Sequence, residues 1–177
     1  MANLILNGST SGSVTISSPA VSGTTTLTLP TTTSTLAING PAFSAYNTSA
    51  QSVTSSTLTK VTLQTEVFDT NNNFASSTFT PTVAGYYQIN GLLRATGTAM
   101  TAVIIAIYKN GSNYSYNSVL DGVSATSSQL LASEVIYMNG STDYLELYGY
   151  ITATSPAFGY ATTAINCRFS GAMVRSA

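Results

Sequence analysis

Apolar residues recur at every second position in short stretches along most of this chain. In Lys60–Phe68, Val61, Leu63, Thr65 and Val67 fall on one side, and Lys60, Thr62, Gln64 and Glu66 on the other. Gly85–Ala95, Thr101–Lys109, Gln129–Met138, Asp143–Thr152 and Ile165–Arg175 follow, all rich in Val, Ile, Tyr and Thr. A period of two carried by β-branched and aromatic residues predicts strands. The gaps hold Asn71-Asn72-Asn73, Asn110-Gly111 and Asn139-Gly140. Asn-Gly supplies the left-handed backbone that tight hairpins require. Helical periodicity is absent, and many short strands at fairly even spacing predict an all-β sandwich or barrel.

Within this pattern the strand AVIIAIY is apolar on both sides, with Val103, Ile105 and Ile107 on one and Ile104, Ala106 and Tyr108 on the other. In a two-sheet sandwich one side meets the core and the other usually meets water. Ile104, Ala106 and Tyr108 are therefore candidates for a subunit interface; cover by a loop of the same chain is the alternative. Gly111–Gln129 reads as a long polar loop.

The first 40 residues differ in kind. No Asp, Glu, Lys or Arg precedes Lys60, and the segment is nearly all Ser, Thr, Gly and short apolar runs. SVTIS alternates at Val14 and Ile16, TLTLP at Leu27 and Leu29, with Gly12, Pro19, Gly23 and Pro30 as breaks. Strands this short do not fold alone. Residues 1–40 are read as an arm ordered by pairing with sister chains or a larger body, against the alternative of a flexible tail, and 41–177 as the globular head.

Composition narrows the function. Charged residues make up 6% of the 177, the net charge is −1, and there is no His, no Trp and one Cys. Five scattered basic residues (Lys60, Arg94, Lys109, Arg168, Arg175) do not make the clustered phosphate contacts that nucleic acid requires. Without His the Ser-His-Asp and Cys-His engines are excluded, and one Cys excludes an internal disulfide and a Cys-type zinc site. Glu134 lies on the Leu130, Ala132, Ile136 side and is a structural partner for Arg94 or Arg168; no feature marks Glu134 and Glu146 as a catalytic pair. Cys167 is read as a small buried hydrophobe. No catalytic residue, cofactor or metal is expected. No apolar run is long enough for a membrane span, so no membrane insertion is expected, and the start MANLILNGSTSGSVTISSP lacks the basic and apolar regions of a secretory signal.

Four segments, in order, carry a resemblance. They are Pro41-Ala42-Phe43-Ser44-Ala45; Phe79-Thr80-Pro81 running to Gly85-Tyr86-Tyr87-Gln88-Ile89, after Phe68-Asp69 and the Asn-rich turn; Lys109-Asn110-Gly111; and Phe169-Ser170-Gly171-Ala172-Met173-Val174. Residues 41–177 resemble the globular head of the complement first-component q subunit, one of the tumour-necrosis-factor-like jelly rolls. The resemblance implies a jelly-roll β-sandwich assembled as a homotrimer, with Phe79, Gly85, Tyr87, Phe169 and Gly171 as its core motif. Two departures stand out: there is no collagen-like Gly-X-Y stem, and Gly140-Ser141-Thr142-Asp143 is two residues longer than the family's Gly-Asp. The six acids do not cluster, so the calcium site of some members is not expected.

Residues 8–37 are similar to a segment of bacteriophage virion proteins, tail-fibre-like ones above all. With the trimeric head, this implies a virion surface protein made in the host cytoplasm and released by lysis. In Asp143–Thr152, Tyr144, Glu146, Tyr148 and Tyr150 share one face, and Tyr114 and Tyr116 add to an aromatic surface. Tyrosine joins an apolar ring to a hydroxyl, which suits a host glycan or protein as well as a trimer interface. Two readings stand: a fibre or adhesin anchored to other virion proteins by residues 1–40, or a head-fibre or decoration protein that cements the capsid.

Overall fold

The structure is a computed structural model and describes residues 3–7, 10–17, 40–159 and 167–177. The chain divides into two compact units, Met1–Thr35 and Leu36–Ala177. In the first, β1 (Asn3–Asn7) and β2 (Ser13–Ser17) form an antiparallel hairpin in which Leu4 pairs with Ile16 and Leu6 with Val14. The strand at SVTIS is thus present, and its partner is NLILN of the same chain. Gly12 takes the left-handed conformation at φ 77° in the turn. Leu27 and Leu29 lie outside the described residues.

The second unit is all β. Its strands are β3 (Ala42–Tyr46), β4 (Gln51–Ser52), β5 (Thr59–Lys60), β6 (Thr65–Asp69), β7 (Phe74–Ala75), β8 (Thr78–Phe79), β9 (Gly85–Lys109), β10 (Ser112–Met138), β11 (Leu145–Phe158) and β12 (Arg168–Ser176). The order β6-β3-β12-β9-β11-β8-β7 is continuous, with β10 also on β9 and β4 and β5 on β11. Two layers arise because β9, β10 and β11 each pass from one to the other. The first layer is β6, β3, β12, the Gly85–Thr96 part of β9 and the Ser127–Met138 part of β10. The second is β10 over Ser112–Leu120, β9 over Ala102–Lys109, and β11 with β5 and β8.

The three long strands bend at one level. Register shifts fall at Leu120/Ala125 and Ala125/Ser127 on β10, and at Thr152/Thr154 and Thr154/Ala157 on β11. Ala99 and Ser155 adopt left-handed φ of 52° and 49°. Extra residues of this kind bend a strand without ending it. Gly85–Ala95 and Thr101–Lys109 are therefore one strand, with Gly97–Met100 as its corner. The Gly111–Gln129 loop expected from polarity is overturned: Ser112–Met138 is continuous strand, because edge pairing on β9 needs backbone, not apolar side chains.

Between the layers lies one core. Phe43, Phe79, Tyr87, Ile89, Leu93, Ile105, Ile107, Leu145, Leu147 and Phe169 are fully buried in it. Phe43 stacks on Phe79 at 4.2 Å between ring centroids and meets Phe169 edge-on at 5.2 Å. The Tyr87 hydroxyl donates to Val83 O at 2.7 Å, so the ring is buried with its polar end satisfied. Gly91 lets the layers close: a Cβ there would stand 2.6 Å from Leu147 Cδ1 in the opposite layer. Gly171 likewise admits Ile89 Cδ1 and Phe43 Cε1, at 2.6 and 3.0 Å from a built Cβ. A side chain at either site would force repacking, at a typical cost of about 1–3 kcal/mol.

The alternation expected across Lys60–Phe68 fails halfway. Val61 and Leu63 are buried, but Val67 is exposed. The chain leaves β5 at Lys60, crosses between layers, and re-enters as β6, whose pairing with β3 slips between Ser44 and Ala45. That slip turns Val67 away from the core.

Candidate functional site

Each layer has an outer face, and the two differ. On the first, the outward positions of β9 are Tyr86, Gln88, Asn90, Leu92 and Arg94, since Tyr87, Ile89, Gly91 and Leu93 point inward. The adjoining part of β10 adds Leu131, Ser133, Val135 and Tyr137, which alternate with buried Leu130, Ala132, Ile136 and Met138. Leu131 is 66% exposed, Val135 52%, and Tyr86 and Tyr137 42% each. Phe68 on β6 and Val174 at the β12 bulge are also exposed. Tyr86 and Tyr137 are cross-strand partners with centroids 5.5 Å apart, and Lys109 Nζ lies 5.8 Å from the Tyr137 centroid.

A short polar ladder crosses this apolar face: Gln88 Nε2 donates to Ser133 Oγ at 2.9 Å, and Ser133 Oγ to Asn90 Oδ1 at 2.9 Å. Beside it are two open recesses of about 200 and 210 Å³, one bounded by Phe68 and Ala172, the other by Leu131 and Arg168. Ser44 Oγ, on β3 opposite Phe68, and Arg168 Nε, beside the second recess, are buried without a hydrogen-bond partner among the described residues. Buried polar atoms are rarely left so.

The second layer's outer face is partly covered by its own rings. Cross-strand register places Tyr116, Ala106 and Tyr148 in one row, and Ser118, Ile104 and Tyr150 in the next. Leu145, Leu147 and Ile151 point into the core, so Glu146, Tyr148 and Tyr150 point out. Tyr108 stacks on Tyr148 at 4.1 Å with 25° between planes, and Ala106 is only 1% exposed. The apolar second side of Thr101–Lys109 thus obtains much of its cover from rings of its own chain. Tyr114 and Tyr116 stand out at 50% and 63% exposure, and Tyr144 is half-buried beside the Asn110-Gly111 turn.

The charges of this layer are paired. Lys60 Nζ reaches Glu146 Oε1 and Thr78 Oγ1, each at 2.6 Å. Lys109 Nζ lies 2.9 Å from Asp143 Oδ2. Burial raises the Asp143 pKa, but hydrogen bonds from Asn110, Lys109 and the Asn139 amide, with the Lys109 charge, hold it below the ordinary value. Burial and the Glu146 charge push the Tyr148 phenol up. Gly140-Ser141-Thr142 forms a turn in which Asn139 Oδ1 accepts from the amides of Ser141, Thr142 and Asp143.

The remaining singled-out residues sit as follows. Phe79, Gly85, Tyr87, Phe169 and Gly171 all lie in or against the core. Glu134 accepts from Ser115 Oγ at 2.7 Å, a bond between the two halves of β10; the expected arginine partner gives way to this hydroxyl. Cys167 is fully buried against the Arg94 backbone, and burial pushes its thiol up to about 11, so at neutral pH it is not a thiolate. Among the described residues no three of His, Cys, Asp and Glu converge as a metal set. No helix there is long and apolar enough to cross a membrane. The face that sequence reasoning missed is the first-layer one; its signal was QLLASEVIYM, apolar on both sides at Leu130-Leu131 and Val135-Ile136-Tyr137.

No family model matches the sequence, and no curated protein is a significant match. Solved structures do match. The globular domain of zebrafish complement 1qA protein superposes with a TM-score of 0.55 at 15% identity, over 78% of this chain and 100% of that one. Murine APRIL, from crystals at pH 8.0, superposes with a TM-score of 0.57 at 10% identity, over 77% and 100%. The fold is therefore a jelly-roll sandwich of the complement-head and tumour-necrosis-factor-like type.

Proposed function

We propose that the protein is a non-enzymatic, homotrimeric surface protein of a virion, anchored by residues 1–40 and presenting its jelly-roll head to the host surface. The observation that carries the trimer is the first-layer outer face. Leu131, Val135, Tyr86, Tyr137 and Phe68 are exposed on one sheet, and Ser44 and Arg168 hold buried polar atoms with no hydrogen-bond partner among the described residues. Contiguous apolar surface of this kind marks a protein interface. A second copy supplies its cover in the simplest way, and a head-to-tail contact that closes on itself gives a ring. The resemblance of the sequence to trimeric heads supports the same number of subunits.

The virion assignment draws on the arm. A charge-free, Ser/Thr-rich segment before a trimeric head is similar to phage fibre proteins, and the Asn3–Ser17 hairpin gives it a paired β element to dock. Immunogold labelling of particles from the source lysate tests this reading, together with native mass spectrometry of the purified chain. A trimer, with label at fibre tips or tail, is the expected result. Label spread evenly over the capsid makes the protein a decoration protein instead. A monomer at micromolar concentration overturns the trimer.

A further inference from the structure

We propose that the outer face of the second layer is a docking surface for a neutral polysaccharide, with sugar rings lying on the tyrosine rings. The proposal rests on the trimer reading, which uses the first layer and leaves this face open.

The geometry is that of a platform. Rows on this face lie about 6.8 Å apart along a strand, and Tyr116 and Tyr148, two strands apart, are separated by about 9.6 Å. Ala106, between them in register, is 1% exposed, so the face between them is filled rather than cleft. Tyr148 is held by its stack on Tyr108, so little side-chain entropy remains to be lost on binding. At the rim are hydroxyls: Tyr150 Oη accepts from Thr152 Oγ1 at 3.2 Å, and Thr152 Oγ1 lies 3.0 Å from Ser56 Oγ. A pyranose has a flat C–H face edged by hydroxyls. Rings beneath and polar groups at the margin match both parts.

Charge decides the class of sugar. The outward positions of this face on β9, β10 and β11 (Ile104, Ala106, Tyr108, Tyr116, Tyr148 and Tyr150 among them) carry no cation. Lys60, beside Tyr148 in register, already serves Glu146 and Thr78. An anionic polymer would have to displace that carboxylate and meet its repulsion. A neutral one leaves the ion pair intact.

The test uses the full chain. Its fluorescence reports on tyrosine, because it has 11 Tyr and no Trp. Emission is followed on titration with dextran and galactomannan as neutral polymers, and with hyaluronate and heparin as anionic ones. The expected result is a saturable change with a neutral polymer. It weakens about tenfold or more in the Tyr116→Ala/Tyr150→Ala double variant, while native mass spectrometry shows the variant's subunit number unchanged. Failure of both neutral polymers, preference for an anionic one, or undiminished binding by the double variant overturns the proposal. Loss of the trimer in the variant also overturns it, since the face is then a subunit contact. A monomeric wild type removes the trimer reading alone, and the carbohydrate proposal is then decided by the titration.

Discussion

The two outer faces of this sandwich begin from the same material and end differently. Both sit on strands with apolar residues on each side: Leu130 to Tyr137 in one layer, Val103 to Tyr108 in the other. In the second layer the centre of the surplus is absorbed within the chain, because β11 brings Tyr148 onto Tyr108 and Lys60 closes on Glu146, while Tyr116 stays exposed at its edge. In the first, Leu131, Val135 and Tyr137 lie on an edge strand with no neighbour beyond it among the described residues, and stay exposed. An apolar outer row is therefore not by itself a sign of an interface; the sign is an outer row that the chain's own side chains leave uncovered.

The sharpest way to break this comparison is to change one residue on each face. Leu131→Asp should dissociate the proposed trimer, because a carboxylate buried without a partner costs about 3–5 kcal/mol. Tyr148→Ala should leave the trimer intact. Native mass spectrometry reads both, and the reverse pattern would exchange the roles of the faces.

A smaller effect tests whether the second face is self-satisfied. Lys60→Met leaves Glu146, whose side chain is 12% exposed, without its cation. The expected loss of stability is about 1–3 kcal/mol. Adding Glu146→Gln should recover part of it, and denaturant unfolding of the four proteins in the cycle gives the coupling. Simple additivity would mean that the pair does nothing to hold the face closed.

The smallest effect separates buried from surface tyrosine. Burial pushes the Tyr87 phenol from 10.0 up to about 12. Because the folded value is raised, its contribution to stability is complete below pH 10 and is lost as pH climbs toward 12. Tyr87→Phe should lose about 1 kcal/mol at neutral pH with the bond to Val83, and should soften the alkaline fall in stability. An ultraviolet titration at rising pH, paired with thermal melts, checks both. An unchanged alkaline limb would place the sensitivity on the face tyrosines.

Much of the fold was legible because period-two alternation is a local property. Leu145, Leu147 and Ile151 point inward as their spacing requires, and Asn110-Gly111 and Asn139-Gly140 both turn the chain. What failed was non-local. Gly97–Met100 reads as a break, yet it is a corner, because a strand continues wherever a neighbour pairs with it. Gly111–Gln129 reads as a loop for want of apolar residues, yet an edge strand is held by backbone hydrogen bonds. The difference between the two faces could not be read either. It depends on which strand lies beside which, and Ser133 and Glu134 hide the double-sided pattern of their strand.

The placement of β3 has a mechanical consequence. The first strand of the head lies between the last strand of the chain and β6, with Ala42 through Tyr46 paired to β12 and Phe43 through Tyr46 paired to β6. Tension applied at Gly40 along the strand axis loads β3 lengthwise. The rungs of both ladders then share the load at once, as bolts share shear, instead of parting one after another like a zip. If residues 1–40 anchor the head as proposed, the head resists being pulled away more strongly than its overall stability alone would indicate.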